Sequence, residues 1–182
     1  YYFLMDREGK FSNGSFCGND IDMIAPMSKK YFLDTIERII KWFDIDGLRF
    51  DLMGVLDCKF MNEVEELCHS IKPDFMIYGE GWNMPSFVPE YLRASQNNQE
   101  KMPRIAHFSD RFREVFKGSN GQLDKKGYIQ GSTDELEHVK QCMSASCLDY
   151  YFDSPEKVIN YVECHDNHTL WDKLAFSCFN EE

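Results

Sequence analysis

Three acidic residues of the sequence each come at the end of a short apolar run that predicts a buried strand. They are Asp51, Glu80 and Asp166. An unpaired buried charge is costly, so an acid at the mouth of an apolar strand needs a reason. Taken singly, each acid is more simply explained as a strand cap or a loop residue. Three together, with Arg49 and His165 beside two of them, predict a catalytic site, because barrel enzymes build such sites from the ends of parallel strands.

Cleavage of a glycosidic bond is the chemistry that suits such a pair of acids. In retaining enzymes a nucleophilic carboxylate and an acid/base carboxyl group lie about 5 to 5.5 Å apart. Arg49 precedes Asp51 by two positions, so in a strand both point to one face and Arg49 would keep Asp51 ionised as the nucleophile. Glu80 must instead stay protonated, and we expect Tyr78 and Trp82 to give it a less polar setting.

The third acid is predicted to act through its charge. Asp166 would stabilise the positive charge that develops in the transition state, while His165 and Asn167 donate or accept hydrogen bonds with sugar hydroxyls. The residues alone leave two alternatives open. His165 and His168 could be structural histidines, and Trp82 could belong to the core.

The composition is that of a globular protein that acts on a neutral molecule. Of the 182 residues 43% are hydrophobic, and the formal net charge is −11. This charge excludes nucleic acid and anionic membrane surfaces as expected partners, since both attract clustered Lys and Arg. No uncharged apolar run approaches the roughly 18 residues of a membrane span. The chain begins at Tyr1 without an initiator Met or a signal-peptide pattern, which predicts an internal piece of a longer protein.

The sequence gives no indication of a bound metal or cofactor. No acidic cluster has the ligand spacing of a calcium loop, and no glycine-rich phosphate loop follows a predicted strand. The seven cysteines are odd in number and include no Cys-x-x-Cys pair. We therefore expect most of them, including Cys68 and Cys142 on apolar helix faces, to be reduced core thiols. This favours a reducing, cytoplasmic location, with a secreted or cell-surface protein as the alternative.

Helices and strands alternate along the predicted chain. Strands are expected at residues 48–52, 75–78, 104–108 and 158–162. One helix should begin at Pro26, a second should end before Pro73, and a third should follow a capping box at residues 132–135. Apolar residues expected to face inward on the first and third helices are Met27, Tyr31, Ile36, Ile39, Ile40, Phe43, Leu136, Val139 and Met143.

The spacing of the strand ends predicts an α/β fold with a parallel sheet. Asp51 and Glu80 are 29 residues apart, as are Glu80 and Ser109, which is the length of one strand-helix repeat. Four strands are too few to close an eight-stranded barrel, whereas an open doubly wound sheet could use them all. The spacing alone leaves both arrangements open.

Three segments resemble the signature regions of a known enzyme family. Residues 47–51, 78–82 and 161–172 are similar to the second, third and fourth signature regions of the α-amylase superfamily, glycoside hydrolase family 13. In detail they resemble the type I pullulanases. The resemblance implies part of a (β/α)8 TIM barrel, roughly strands 4 to 7 with their helices. It also implies retaining hydrolysis of α-1,6-glucosidic linkages in pullulan, starch or glycogen dextrins.

The resemblance also implies a role for each motif residue. Asp51 matches the nucleophile, Glu80 the acid/base and Asp166 the transition-state stabiliser. Arg49 matches the partner of the nucleophile, and His165 matches a ligand of the sugar at the cleavage point. The implied partner is an α-glucan, with no cofactor, while the oligomeric state stays open.

The chain departs from the family pattern in what it lacks and at single positions. The family's first signature has no counterpart, so residues 1–182 are expected to form a partial catalytic domain without flanking domains. Leu48 replaces the usual Phe and Cys164 the usual Ser, changes that should not alter the roles. The alternatives are an α-1,4 amylase or an isoamylase of the same superfamily. For the isolated segment, the alternative is an inert fragment.

Overall fold

The computed structural model describes residues 2–149 and 151–179 of the chain. Within these residues the chain forms two compact units, Tyr1–His107 and Phe108–Glu182. No helix among the described residues is both long and apolar enough to cross a bilayer. The expectation that residues 1–182 form one partial catalytic domain stays a prediction.

Parallel strands form the centre of the first unit. The strands are β1 (Gly47–Phe50), β2 (Met76–Gly79) and β3 (Ala106–Phe108), whose last residue begins the second unit. β1 pairs with β2 and β2 pairs with β3, both in parallel, so Phe50 lies opposite Gly79 and Gly79 opposite His107. The parallel pairing predicted from the spacing is confirmed. β1 and β3 are shorter than predicted, and β2 has the predicted length but lies one residue later.

Two helices cover the sheet of the first unit, and their ends follow the sequence signals. They are α1 (Pro26–Phe43) and α2 (Cys58–Ile71). α1 has its proline in the first turn and ends at Asp44 in the left-handed conformation. α2 begins at Asp57, whose side chain accepts hydrogen bonds from the Lys59 and Phe60 N–H groups at 2.8 and 3.3 Å. Both helices predicted for this part of the chain are confirmed.

The predicted inward face of α1 is only partly correct. Ile36 and Ile40 are buried, but Met27, Tyr31 and Phe43 are at least 60% exposed. At 3.6 residues per turn, Met27 and Tyr31 lie on the opposite side of the helix from Ile36. Phe43 is on the buried side but is the last residue of the helix. The single apolar face assigned from the sequence was therefore too wide.

Among its described residues, the second unit has a short strand and three α-helices. They are β4 (Val158–Ile159), α3 (Asp110–Lys117), α4 (Leu136–Met143) and α5 (Leu170–Cys178). The Ser109 N–H donates to the Ile159 carbonyl at 3.0 Å, and the Ser109 hydroxyl caps α3. Val115 of α3 packs with Val139 and Cys142 of α4. Burial raises the pKa of the Cys142 thiol, and Cys68 is also buried, as the helical pattern predicted.

Three predictions for the second unit were inaccurate. The capping box at residues 132–135 does not form, because α4 starts only after Glu135 and has no side-chain cap. Leu136 and Met143 are exposed rather than inward. The strand expected at residues 158–162 ends at Ile159. α3 and α5 were not predicted at all, although Thr169 and Asp172 form a capping box at the start of α5.

Candidate active site

The register of the sheet places two of the predicted acids side by side. Asp51 and Glu80 directly follow Phe50 and Gly79, which are partners in the β1–β2 pairing. The Glu80 N–H extends this pairing by donating to the Phe50 carbonyl at 3.1 Å. Parallel strands end at the same edge of a sheet, so both carboxylates emerge there.

Leu52, two residues after β1, has a left-handed backbone conformation and helps to fix the Glu80 side chain. Leu52 has a φ of 46° and a ψ of 38°. A non-glycine residue in this region costs roughly 1–2 kcal/mol. The turn directs the Leu52 N–H at Glu80, which accepts it through Oε2 at 2.9 Å. The backbone after Asp51 thus holds the second acid in place.

Arg49 lies between the two acids and contacts both. Its Nη1 contacts Oδ1 of Asp51, and its Nη2 is 2.8 Å from Oε1 of Glu80. The Glu80 side chain is only 6% exposed, whereas the Asp51 side chain is 64% exposed. Asp51 is therefore accessible from solvent, while Glu80 lies deeper beside the same cation.

The less polar setting expected for Glu80 is wrong. The side chain is buried, but its Oε1 forms an ion pair with Arg49 at 2.8 Å and its Oε2 accepts a hydrogen bond from the Leu52 N–H. Tyr78 is half-buried on β2 opposite Arg49, and Trp82 is half-buried two residues beyond Glu80. The sequence pattern could not show that the β1–β2 register brings Arg49 to Glu80 as well as to Asp51.

Gly54 positions the backbone beside Glu80, and it was not singled out from the sequence. Its N–H donates to the Glu80 carbonyl at 2.9 Å. A Cβ at this position would lie 1.8 Å from the Trp82 carbonyl oxygen, so the backbone leaves no room for a side chain. Gly54 lets the segment after β1 lie directly against residues 80–82. The signal was a glycine soon after a predicted catalytic acid.

His165, Asp166 and Asn167 lie together in the second unit, in the segment that follows β4. All three are exposed, and His165 Nε2 is 3.4 Å from Asp166 Oδ1. Asn167 has a φ of 65°, so the chain turns sharply just after Asp166. Their approach to Asp51 and Glu80 of the first unit stays a prediction.

Two buried lysines hold the backbone around this segment. Lys117, the last residue of α3, donates to the His168 carbonyl. Lys173 of α5 donates to the Ser119 and Gln122 carbonyls at 2.8 and 2.6 Å. Burial lowers the pKa of both lysines. Lys117 of α3 therefore fixes the segment just before α5, and Lys173 of α5 fixes the segment just after α3. Neither lysine was singled out from the sequence.

Curated sequences similar to the chain are pullulanases. The chain is 35% identical to the pullulanase of Bacillus subtilis strain 168 over 97% of its length, which is 25% of that protein. It is 29% identical to pullulanase A of Streptococcus pneumoniae serotype 4 over 97% of its length, which is 14% of that protein. No protein-family model matches the chain.

A solved structure matches the fold along the whole chain. The crystal structure of pullulanase complexed with maltotriose from Anoxybacillus sp. LM18-11 superposes with a TM-score of 0.95 and 41% sequence identity. The match covers 100% of this chain and 26% of that one. The predicted α/β fold class, part of a TIM barrel, is confirmed.

Parallel strands, together with these matches, define the class: part of a TIM barrel that carries acidic residues at its strand ends. The chain is a relative of the pullulanases along its whole length, as its motifs predicted. It spans about a quarter or less of the length of these relatives.

Proposed function

We propose that the protein containing this chain is a retaining glycoside hydrolase that cleaves α-1,6-glucosidic linkages of an α-glucan. The contact of Arg49 with both Asp51 and Glu80 is the observation that carries the proposal. Arg49 thereby links two carboxylates at adjacent strand ends, of which Asp51 is exposed and Glu80 is buried. A nucleophile and an acid/base group require such a pair.

The proposed reaction has two steps. A carboxylate oxygen of Asp51 bonds to the anomeric carbon as the bond to the leaving oxygen breaks, and Glu80 gives its proton to that oxygen. Glu80 then takes a proton from water, whose oxygen displaces Asp51 and restores both acids. Arg49 orients Asp51 through their contact. Asp166 stabilises the charge of the transition state.

The proposed substrate is a neutral α-glucan such as pullulan or a starch or glycogen dextrin. The Anoxybacillus relative was crystallised with maltotriose. The net charge of −11 suits an uncharged substrate better than an anionic one. His165, Asn167, Tyr78 and Trp82 are the proposed sugar contacts, through hydrogen bonds from the first two and ring surfaces from the others.

The roles of the two acids can be separated with an activated aryl glycoside, whose leaving group needs no proton. Asp51→Asn should abolish hydrolysis of both pullulan and the aryl glycoside, because no covalent intermediate forms. Glu80→Gln should lose pullulan hydrolysis but keep glycosyl-enzyme formation from the aryl glycoside, measured as a burst of aryl alcohol. Glu66→Gln, an exposed change on α2, is the control. Equal losses on both substrates in Glu80→Gln would reject its role as the acid.

The linkage is tested by the products released from pullulan. Cleavage at α-1,6 bonds should give maltotriose as the limit product, resolved by chromatography of an exhaustive digest. Release of panose or isopanose would instead assign the protein to the α-1,4-cleaving members of the superfamily.

A further inference from the structure

Three side chains with metal-binding atoms lie together in the segment after β4. A ligand atom from each of Cys164, His165 and Asp166 lies within 4.8 Å of the others. Cys164 is half-buried, and the His165 and Asp166 side chains are 63% and 54% exposed. An ion in solution can therefore reach all three.

The chemistry of these atoms selects a soft divalent ion. Thiolate, imidazole and carboxylate are the usual ligands of Zn²⁺, at about 2.0 to 2.3 Å from the metal. A tetrahedral ion at such distances holds its ligand atoms roughly 3.4 to 3.6 Å apart. His165 Nε2 and Asp166 Oδ1 are already 3.4 Å apart. Small side-chain rotations would complete a three-ligand site, with water as the fourth ligand. Ca²⁺, which prefers oxygen ligands, fits this set poorly.

The backbone supports the cluster from both sides. Lys117 holds the His168 carbonyl, and the Glu163 carboxylate accepts from the Leu170 N–H at the start of α5. The left-handed turn at Asn167 follows directly after Asp166. The three ligands are thus carried by a short segment that is fixed at both ends, which lowers the entropy cost of closing around an ion.

We propose that Cys164, His165 and Asp166 form a reversible binding site for Zn²⁺ or a similar thiophilic ion, and that the bound ion inhibits the enzyme. Binding releases the Cys164 thiol proton to solvent and forms three bonds to the metal. The ion then occupies His165 and Asp166, which the substrate needs. The inhibitory half of this proposal rests on the proposed function, whereas the binding half does not.

The binding half is tested with Co²⁺, which takes Zn²⁺ sites and absorbs in the near ultraviolet when a thiolate is a ligand. The protein containing this chain should show that band, and Zn²⁺ should remove it by displacement. Cys164→Ser should lose the band and weaken Zn²⁺ binding about tenfold or more in calorimetry. Cys17→Ser, which removes an exposed cysteine elsewhere, should keep both. Burial raises the pKa of the Cys58 and Cys68 thiols to about 11, so they compete poorly for the ion.

The inhibitory half is tested on the same proteins with pullulan. Zn²⁺ should inhibit hydrolysis, a chelator should restore it, and Cys164→Ser should resist inhibition by about tenfold or more in Zn²⁺ concentration. A Co²⁺ band that persists in Cys164→Ser, or is absent from the unmodified protein, would overturn the metal site. Zn²⁺ binding without any pullulan hydrolysis by the unmodified protein would keep the site and reject the proposed function instead.

Discussion

Arg49 supplies one guanidinium to two carboxylates whose proposed roles differ. Contacts with a planar guanidinium hold a carboxylate in a fixed orientation, which suits Asp51 as the proposed nucleophile. Oε1 of Glu80 forms an ion pair with the same group at 2.8 Å, although an acid catalyst has to donate a proton. In the proposed reaction, the Arg49–Glu80 contact has to loosen before Glu80 protonates the leaving oxygen. Arg49 is therefore expected to affect when Glu80 can donate its proton as well as how the two acids are oriented.

Replacing Arg49 by Lys should show whether the shared contact matters. A lysine ammonium is a point charge that cannot contact both acids in the fixed geometry of a guanidinium. Arg49→Lys should lower kcat/KM for pullulan by about 100-fold, the size of loss seen when a catalytic donor is removed. Arg38→Lys on the exposed side of α1 should have no effect. Activity within twofold of the unmodified protein would contradict a role for the shared contact.

The two contacts of Arg49 were not equally predictable. Residues two positions apart in a strand point to the same face, so this local rule correctly predicted the contact between Arg49 and Asp51. The contact with Glu80 depends on Phe50 lying opposite Gly79, which no local pattern specifies. The left-handed turn at Leu52 was likewise unpredictable, because leucine rarely adopts it.

At the scale of elements, the close approach of two strand-end segments depends on Gly54. Gly54→Ala should lower the free energy of unfolding by about 1 to 3 kcal/mol, because the added methyl group meets backbone rather than a movable side chain. It should also lower pullulan hydrolysis, since Glu80 is displaced with Trp82. Denaturant unfolding and kcat/KM measure the two effects.

Gly121→Ala is the matched control for this change. A Cβ there would have Ser119 Oγ at 3.8 Å as its nearest neighbour, an ordinary contact. It should leave stability and activity unchanged. If Gly54→Ala behaved like this control, the backbone contact between residues 54 and 82 would not position the site.

Lys117 should act on the segment that carries Asp166 through its bond to the His168 carbonyl. Lys117→Met keeps the size of the side chain and removes the donor, so residues 163–168 lose one anchor. A displacement of about 1 Å can cost on the order of 100-fold in rate, and we expect kcat/KM to fall by about 10- to 100-fold. Lys140→Met on the exposed side of α4 is the control.

A purely structural role for Lys117 would give a different pattern. Loss of stability alone would lower the midpoint of thermal unfolding and leave kcat/KM of the folded protein unchanged. The positioning role predicts the reverse, a lower kcat/KM at temperatures where circular dichroism shows the variant to be fully folded.

Elements were predictable where local signals agreed with the hydrophobic pattern. Pro26 marks the start of α1, and Pro73 follows the end of α2, so both helices were found. α3 spans only eight residues, so its apolar residues Phe112, Val115 and Phe116, although at helical spacing, form too short a pattern to identify a helix. The apparent capping box before α4 failed because the Ser132 hydroxyl accepts from the Asp134 N–H instead, at 3.4 Å, and α4 begins only at Leu136. Charged turns and short helices thus account for most of the errors.

At the scale of the whole molecule, the chain matches about a quarter of the Bacillus and Anoxybacillus relatives yet folds like the corresponding part of a solved pullulanase. The motifs were sufficient to predict this, because strand-end acids at a regular spacing are a property of the whole architecture. The division into Tyr1–His107 and Phe108–Glu182 was not predictable, since no linker composition marks it.

The surface of the described residues predicts how the isolated 182-residue chain behaves. Trp42, Phe43 and Tyr31 of α1 and Trp171 of α5 are each more than 60% exposed. Large exposed apolar side chains promote association. The short strand β1 also promotes it, because within the first unit it is an edge strand that pairs on one side with β2. Residues 1–182 expressed alone should therefore be only marginally soluble, elute as aggregates in size-exclusion chromatography and unfold without a sharp transition. They should not hydrolyse pullulan, because a partial barrel leaves the site incomplete.

The same segment with Asp51→Asn serves as the blank in a long pullulan incubation. A monomer that unfolds cooperatively and hydrolyses pullulan above that blank would show that these residues form a complete enzyme.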